Sequence, residues 1–163
     1  MGILVGLLCA LVLVTMPPAS AAAKSWPNLV VSPHGSAWSA DLQRPLFPSR
    51  LRFVPGDAAS RSFYARNQSG QRAQLRVLVR VVDGTRWLCC GHLRISVAVD
   101  GRWRPVVIAG STGVGRVNLK PGDVVPVKVK VRLLWPAGNQ AMKRALRFDV
   151  GLRLTQLPSR SAA

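Results

Sequence analysis

The sequence contains no glutamate, and its six aspartates stand against 23 lysines and arginines, which gives a formal net charge of +17. Glutamate is a good helix former, whereas aspartate favours turns. Together with 12 prolines and 14 glycines in 163 residues, this composition argues against a helical protein. The missing glutamate also excludes the His-Glu-x-x-His helix of the zinc metalloproteases.

Motifs that carry catalysis are also scarce. The chain has two histidines, His34 and His92, and no Gly-x-Ser-x-Gly nucleophile elbow. A glycine-rich segment at 110–115 lacks the lysine of a phosphate-binding loop, so we interpret it as a flexible loop between strands. Most of the aspartates fall in predicted turns, which argues against a carboxylate pair for acid–base chemistry. We therefore expect no enzyme and no cofactor. The turn aspartates are Asp57, Asp83, Asp100 and Asp123.

The chain begins with an uncharged apolar run from residue 2 to residue 16, followed by Pro17-Pro18 and small residues that fit a cleavage site. The run is shorter than the roughly 20 residues that a membrane-spanning helix needs. These features predict a signal peptide over 1–23, with an uncleaved membrane anchor as the alternative. We therefore expect an exported protein, either extracellular or held at the cell surface.

Apolar residues alternate with polar ones along four segments, as half-buried antiparallel strands require. These segments are 75–82, 93–99, 127–133 and 146–154, and shorter strands fit at 29–31, 50–53, 61–67, 103–108 and 115–119. We expect an extended Pro/Ser-rich leader over 24–49, a single β-sandwich domain over 50–157 and a disordered tail over 158–163.

Turn residues separate the predicted strands. Asp83-Gly84 and Asp100-Gly101 predict hairpins, and Pro55-Gly56 and Pro121-Gly122 suit the central positions of type II turns. Seven or eight short strands joined in this way predict an all-β fold, an antiparallel two-sheet sandwich of immunoglobulin-like or jelly-roll-like type. The two Pro-Gly-Asp turns each precede a strand, which raises the question of an internal repeat without answering it.

Several short motifs occur in a recognisable order. They are Phe-Val-Pro-Gly-Asp at 53–57, a strand and polar loop at 61–70, Leu-Lys-Pro-Gly-Asp at 119–123, the loop at 136–140 and a last strand ending at Gln156. In this order they resemble the TasA/camelysin group of exported Gram-positive proteins and its actinobacterial relatives. The resemblance implies a sandwich at the cell surface or in a biofilm matrix.

The resemblance also implies a means of self-assembly. Members of the group form fibres in which an extended N-terminal segment adds as a strand to a neighbouring subunit, and residues 24–49 could act in this way. A disordered or locally packed leader is the alternative. The protease activity attributed to one branch of the group does not carry over, because this chain has no glutamate.

Cys89 and Cys90 are adjacent in the chain, with His92 close behind. In an oxidising compartment the pair could form a vicinal disulfide, a disulfide between subunits or two thiols, and we favour a disulfide in a hairpin loop. Thiolate and imidazole could also hold a soft metal, which gives a small metal or redox protein as one alternative function. A closed site needs about four ligands, so we expect no metal.

Basic side chains fall on the outward side of the predicted strands. Such a surface attracts polyanions, and arginine favours bidentate contacts with phosphate. Expected partners are anionic envelope or matrix polymers: teichoic polymers, acidic polysaccharides, anionic lipids and extracellular DNA. The signal peptide argues against intracellular nucleic acid. We therefore expect a structural or adhesive surface protein, unless the charge serves only solubility. The candidate residues are Arg76, Arg80, Arg94, Lys128, Lys130, Arg132, Arg147 and Arg153.

Overall fold

The computed structural model describes residues 27–48, 52–83, 88, 90–107, 110–138 and 146–158. The described residues form eight strands in two antiparallel sheets, so the predicted all-β two-sheet sandwich is confirmed. The predicted signal peptide over 1–23 and residues 159–163 of the predicted tail lie outside the described residues. The strands are β1 Leu29–Ser32, β2 Ala58–Asn67, β3 Ala73–Asp83, β4 Leu93–Val99, β5 Arg102–Val106, β6 Gly110–Leu119, β7 Val124–Leu133 and β8 Arg147–Gln156.

One sheet has five strands in the order β1-β2-β7-β4-β5, and the other has three in the order β6-β3-β8. Because apolar and polar side chains alternate along each central strand, every second side chain points into the core. In β3 the side chains of Leu75, Val77 and Val79 have no exposed surface, and in β7 Val127 and Val129 are equally buried. The residues between them face solvent, as expected for strands with one covered face.

The leader belongs to the sandwich. Strand β1 pairs with β2, where Val31 lies opposite Ala65, and the backbone of Val31 also exchanges two hydrogen bonds with Ser39 at 2.8 and 3.0 Å. Further on, Phe47 packs against the core, with its ring centroid 5.8 Å from that of Phe148 in β8. The expected boundary at residue 50 is therefore wrong, because the edge strand and part of the core lie before it.

The predicted strand at 50–53 is also absent from the described part of this segment. Arg52 and Phe53 lie outside any strand, and residues 50 and 51 are not among those described. The chain instead enters the turn that precedes β2. Phe53 packs partly buried against the core, so its apolar character reflects burial beside a turn.

The two Pro-Gly-Asp turns, at 54–57 and 120–123, have the predicted type II features. Their glycines have φ of 97° and 80°, in the left-handed region that a type II turn requires. The aspartate N–H donates to the first residue's carbonyl at 3.0 Å in one turn and 3.1 Å in the other. Each aspartate carboxylate also accepts a hydrogen bond from the first residue's N–H, at 3.0 and 2.7 Å. Both aspartates therefore act within their own turns.

The two turns occupy equivalent places around an approximate two-fold arrangement. Gly56 N–H donates to the Leu133 carbonyl at 2.9 Å, and Gly122 N–H donates to the Asn67 carbonyl at 2.8 Å. Each turn thus binds the last residue of the strand that follows the other turn. Those two strands, β2 and β7, pair with each other, and so do the strands that come next, β3 and β8. The topology therefore relates β1-β2-β3 to β4-β7-β8, with β5 and β6 between them.

The hairpin between β4 and β5 also has the predicted geometry. Asp100 and Gly101 have φ of 50° and 76°, and the strands resume on either side of them. Positive φ at both positions is the signature of a type I′ turn, which the Asp-Gly pair favours. The other predicted hairpin, at Asp83-Gly84, involves a residue outside those described.

The glycine-rich segment at 110–115 is the first half of β6, so its interpretation as a flexible loop is wrong. Val77 pairs with Gly115 and the next residue, Leu78, pairs with Gly113, which leaves Val114 as the extra residue of a β-bulge. A Cβ on Gly115 would lie 2.6 Å from Val99 Cγ2 in the facing sheet. Glycine at this position therefore allows β6 to approach β4 closely. The glycine at 115 reflects close packing between the sheets and not a flexible loop.

Candidate functional site

The eight basic residues predicted to bind polyanions lie on two faces of the sandwich, so they form two cationic surfaces. We call the outer surface of the β6-β3-β8 sheet the three-strand face and that of the β1-β2-β7-β4-β5 sheet the five-strand face. The two faces point in opposite directions because they are the outer surfaces of packed sheets. The three-strand face carries Arg76, Arg80, Arg147 and Arg153, and the five-strand face carries Arg94, Lys128, Lys130 and Arg132; all eight are exposed.

The centre of the three-strand face is a row of three arginines. Arg76 in β3 lies directly opposite Arg116 in β6 and directly opposite Arg153 in β8. Residues paired in this way have Cβ atoms about 4.5–5.5 Å apart, and like charges at that separation destabilise a sheet. We call these three residues the arginine row. Arg76 Nε donates a hydrogen bond to Gln74 Oε1, a neighbour outside the row, at 3.3 Å.

A shallow strip runs beside the arginine row. Leu78 forms its floor, with Gly113 on one side and Gly151 on the other. A Cβ on Gly113 would meet no atom within 4 Å, so the surface is open at this point. Farther along, Arg80 Nη2 lies 3.4 Å from Asp149 Oδ2, and this is the one ion pair within the described part of the chain. Both side chains are mostly exposed, so this pair adds little stability.

A cleft of about 370 Å³ opens at the β6 side of the arginine row. Its lining includes Arg76, Arg116 and the bulge at 113–115, and a third arginine, Arg104, comes from β5 of the other sheet. Arg104 pairs with Val97, so it lies on the inner side of the edge strand β5. It is nevertheless exposed, and β5 contacts β6 across the sandwich. The cleft therefore brings together arginines from both sheets.

Sequence reasoning missed Arg104 and Arg116. The signal for Arg116 was present, because it alternates with the apolar Val117 and Leu119, but the preceding residues were interpreted as a loop. For Arg104 the alternation points toward the core, a position where an arginine is unexpected. Its exposure depends on how the edge strand β5 lies against β6 of the other sheet, which the sequence does not show.

The five-strand face is built differently. Arg132 lies opposite Arg94, but Lys130 lies between Ser60 and Ser96, and Lys128 lies beside Ala98. Trp103 in β5 is opposite Ala98 and is 49% exposed. Small residues thus separate the lysines from other cations, and an indole lies near them. This face has one like-charged pair where the other face has a continuous row.

Most aspartates are engaged away from the arginine row. Asp57 and Asp123 accept backbone hydrogen bonds in their turns, Asp41 accepts one from the Gln43 side chain, and Asp149 pairs with Arg80. None of these carboxylates is opposite a residue of the arginine row in the strand register. The row therefore presents positive charge that these side chains do not neutralise.

The cysteine pair is described in part. Cys90 is exposed, while Cys89 lies outside the described residues, so the favoured disulfide between them stays a prediction. His92 is half-buried, and its carbonyl accepts a hydrogen bond from Leu134 N–H at 2.8 Å. Among the described residues, no group of three His, Cys, Asp or Glu side chains could hold a metal ion. No helix of the described ranges has the length and apolar character to cross a membrane.

Comparison with known proteins leaves the family open. Neither a family model nor a curated protein matches the sequence. One similar solved structure is described as "AvmM Catalyzes Macrocyclization in Alchivemycin A Biosynthesis". It is 11% identical, the match covers 67% of this chain and 84% of that chain, and the TM-score is 0.32. A likeness this weak carries no argument about function.

Proposed function

We propose that this protein is an exported, non-enzymatic binding protein that holds anionic polymers of the cell envelope or matrix, with the arginine row as its principal contact. The observation that carries the proposal is the direct cross-strand pairing of Arg76 with Arg116 and Arg153. Like charges in that register weaken the sheet. A bound polyanion would offset this repulsion. A surface that served only solubility would not require arginines to be placed directly opposite one another.

The row suits a polymer better than a single small anion. Neighbouring strands lie about 4.7–4.9 Å apart, so three arginines on adjacent strands extend over roughly 10 Å. Arginine binds phosphate and carboxylate oxygens through two parallel N–H donors. A chain with repeated anionic groups can contact several of these guanidinium groups at once, and the net charge of +17 favours encounter with it.

The opposite orientation of the two faces supports a structural or adhesive role. A polymer bound to the three-strand face leaves Lys128, Lys130 and Arg132 on the other side of the sandwich exposed to a second polymer. One protein molecule could therefore bridge two polymer chains. Bridging of this kind would stiffen a matrix without any catalytic step.

We favour binding over fibre growth by strand donation. The segment that would be donated includes β1, and β1 already pairs with β2 of the same chain. Val30 and Ser32 in this strand are fully buried, and Phe47 packs beyond it. Donation would have to break these contacts first. The export and surface location rest on the predicted signal peptide and on the resemblance to the TasA/camelysin group.

The experiment that tests the proposal is a binding titration of the purified chain with long-chain polyphosphate, polygalacturonate and neutral dextran at several salt concentrations. We expect both anionic polymers to bind, dextran to fail, and the affinity to fall linearly on a log–log plot against salt. Two matched variants locate the contact. R76E/R116E/R153E reverses the arginine row, and K128E/K130E/R132E reverses the same number of charges on the five-strand face.

The two variants should differ in size of effect. We expect loss of the row to weaken binding on the order of a hundredfold, and reversal of the five-strand face to weaken it about tenfold while abolishing polymer bridging, seen as turbidity. Equal losses from the two variants would show that net charge alone drives binding. Binding that is insensitive to salt would contradict the proposal altogether.

A further inference from the structure

The cleft beside the arginine row differs from the rest of the cationic surface in its construction. Three arginines reach it from three strands: Arg76 from β3, Arg116 from β6 and Arg104 from β5. Two of them are also part of the row, while Arg104 belongs to the other sheet. No aspartate is among the described residues that line the cleft. Three positive charges therefore surround one opening of about 370 Å³.

The two glycines of the bulge have different reasons for being glycine. Gly115 must lack a side chain, because its Cβ would lie 2.6 Å from Val99 Cγ2. Gly113 has no such reason, since a Cβ there would meet nothing within 4 Å and its φ is not in the left-handed region. Glycine also weakens a strand interior, so an unexplained glycine often marks a close approach by a ligand or another backbone. At Gly113 the open space is the cleft itself.

Packing fixes the bulge in place. Val114 is 2% exposed and belongs to the core, and Gly115 is held against Val99. Arg116 follows directly, so its backbone position is set by the same contacts. A cleft whose wall is anchored in the core is a better site for a discrete ligand than side chains that extend from a flat sheet.

The chemistry of the lining selects the ligand class. A carboxylate carries a single charge and is satisfied by one bidentate arginine. A phosphoryl group carries about 1.5–2 negative charges near neutral pH and has three oxygens that accept strong hydrogen bonds. The three guanidinium groups around this opening therefore suit a phosphoryl group better than a carboxylate. They offer more than one positive charge and enough N–H donors for three oxygens.

We propose that this cleft is a discrete site for a phosphoryl group, bound by Arg76, Arg104 and Arg116 and admitted by the missing side chain of Gly113. The inference deepens the proposed function, since Arg76 and Arg116 also belong to the arginine row. Arg104 and Gly113 belong to the cleft alone. They allow the site to be tested separately from polymer binding.

The test is an NMR titration of the full chain with inorganic phosphate and, at equal ionic strength, with acetate. We expect phosphate to change the chemical shifts of the Gly113 and Gly115 amides in a saturable way. Acetate should cause no saturable change over the same range of concentration. Acetate shifts of the same size and affinity, or uniform phosphate shifts over the surface, would overturn the proposal.

Three variants make the test specific. R104A should weaken phosphate binding roughly tenfold, because a hydrogen bond to a charged group is lost. The matched control is R102A, since Arg102 lies on the same side of the same strand, is also exposed and is not among the residues that line the cleft. G113V should abolish the shifts without changing any charge, and its unfolding midpoint should stay near that of the wild type. Equal weakening by R102A and R104A would refute a discrete site.

A parallel titration with tripolyphosphate distinguishes the source of the phosphoryl group. Tighter binding of tripolyphosphate than of phosphate, reduced by R153E outside the cleft, would identify the end of a phosphate polymer, while equal affinities would identify free phosphate; both outcomes support the cleft. If polymers bind but phosphate leaves Gly113 and Gly115 unshifted, the cleft proposal fails and the proposed function stands. If phosphate fills the cleft but no polymer binds, the proposed function fails and the cleft stands.

Discussion

The three-strand face and the five-strand face each carry four of the basic residues that the sequence predicted, yet they differ in what those residues can do. On the three-strand face, Arg76 has an arginine opposite it on both sides. On the five-strand face, Lys130 has Ser60 and Ser96 in the corresponding places. The number of predicted cations is equal, but the strand register makes one face a continuous row of arginines and leaves the two lysines of the other face without a cation opposite them. Register therefore matters more than composition for a binding surface.

The cleft adds to this difference. Its lining includes the bulge of β6 and Arg104, which is exposed although it lies on the inner side of β5. The five-strand face has Trp103 as its distinctive feature, 49% exposed beside the buried Ala98. The three-strand face presents a row of arginines, and the five-strand face also presents an aromatic side chain.

The largest effect on the three-strand face should come from Gly115→Ala. Its Cβ would lie 2.6 Å from Val99 Cγ2, so β6 must move away from β4 or the valine must shift. Overpacking of this kind costs about 1–3 kcal/mol, and the displacement should also weaken polymer binding although no charge has changed. Denaturant unfolding measures the first effect. Gly113→Ala is the control, because its Cβ meets no atom within 4 Å; a similar loss there would contradict the packing argument.

An intermediate effect, of opposite sign, should follow Arg76→Gln. This change removes the like-charge repulsion with Arg116 and Arg153, so we expect the free energy of unfolding to rise by about 0.2–1 kcal/mol while polymer affinity falls. The gain should shrink as salt is added. The matched change on the other face is Lys130→Gln, whose cross-strand neighbours are serines. If Lys130→Gln stabilised the fold as much as Arg76→Gln, repulsion within the arginine row would not destabilise the sheet.

The smallest effect should follow Arg80→Gln. Arg80 forms the ion pair with Asp149 at 3.4 Å, but the side chains are 67% and 61% exposed. An exposed pair contributes about 0–1 kcal/mol, so the unfolding free energy should change by a few tenths of a kcal/mol. Polymer affinity should fall less than with Arg76→Gln, because the charge of Arg80 is partly neutralised already. If Arg80→Gln reduced polymer affinity more than Arg76→Gln does, Arg80 and not the arginine row would be the main polymer contact.

The sequence was a good guide to strands and turns. Alternation predicted 93–99, which coincides with β4 Leu93–Val99, and the Pro-Gly-Asp turns have the positive φ that their sequence requires. These features depend on residues within a few positions of one another, so a local pattern is enough to reveal them. Alternation failed at 110–115, where five small residues flank a buried valine and the bulge interrupts the period.

The cysteine pair and the leader show two other limits of the sequence. Adjacent cysteines indicate a range of redox states, and no pattern in the chain chooses among them. For the leader, prolines and serines suggested an extended segment, and the short strand at 29–31 was correctly expected within it. Its attachment to β2 depends on a pairing across more than thirty positions of chain, which composition does not express.

The sequence by itself determined which side chains point outward, since alternation in a strand is set by the backbone of that strand. It therefore determined that Arg76, Lys128 and their counterparts would be exposed and cationic. Only the tertiary structure decided which outward residues share a face, because sheet membership comes from hydrogen bonds between distant segments. That pairing placed Arg76 between Arg116 and Arg153, put the lysines of β7 on the opposite side, and brought Arg104 to the cleft from the other sheet.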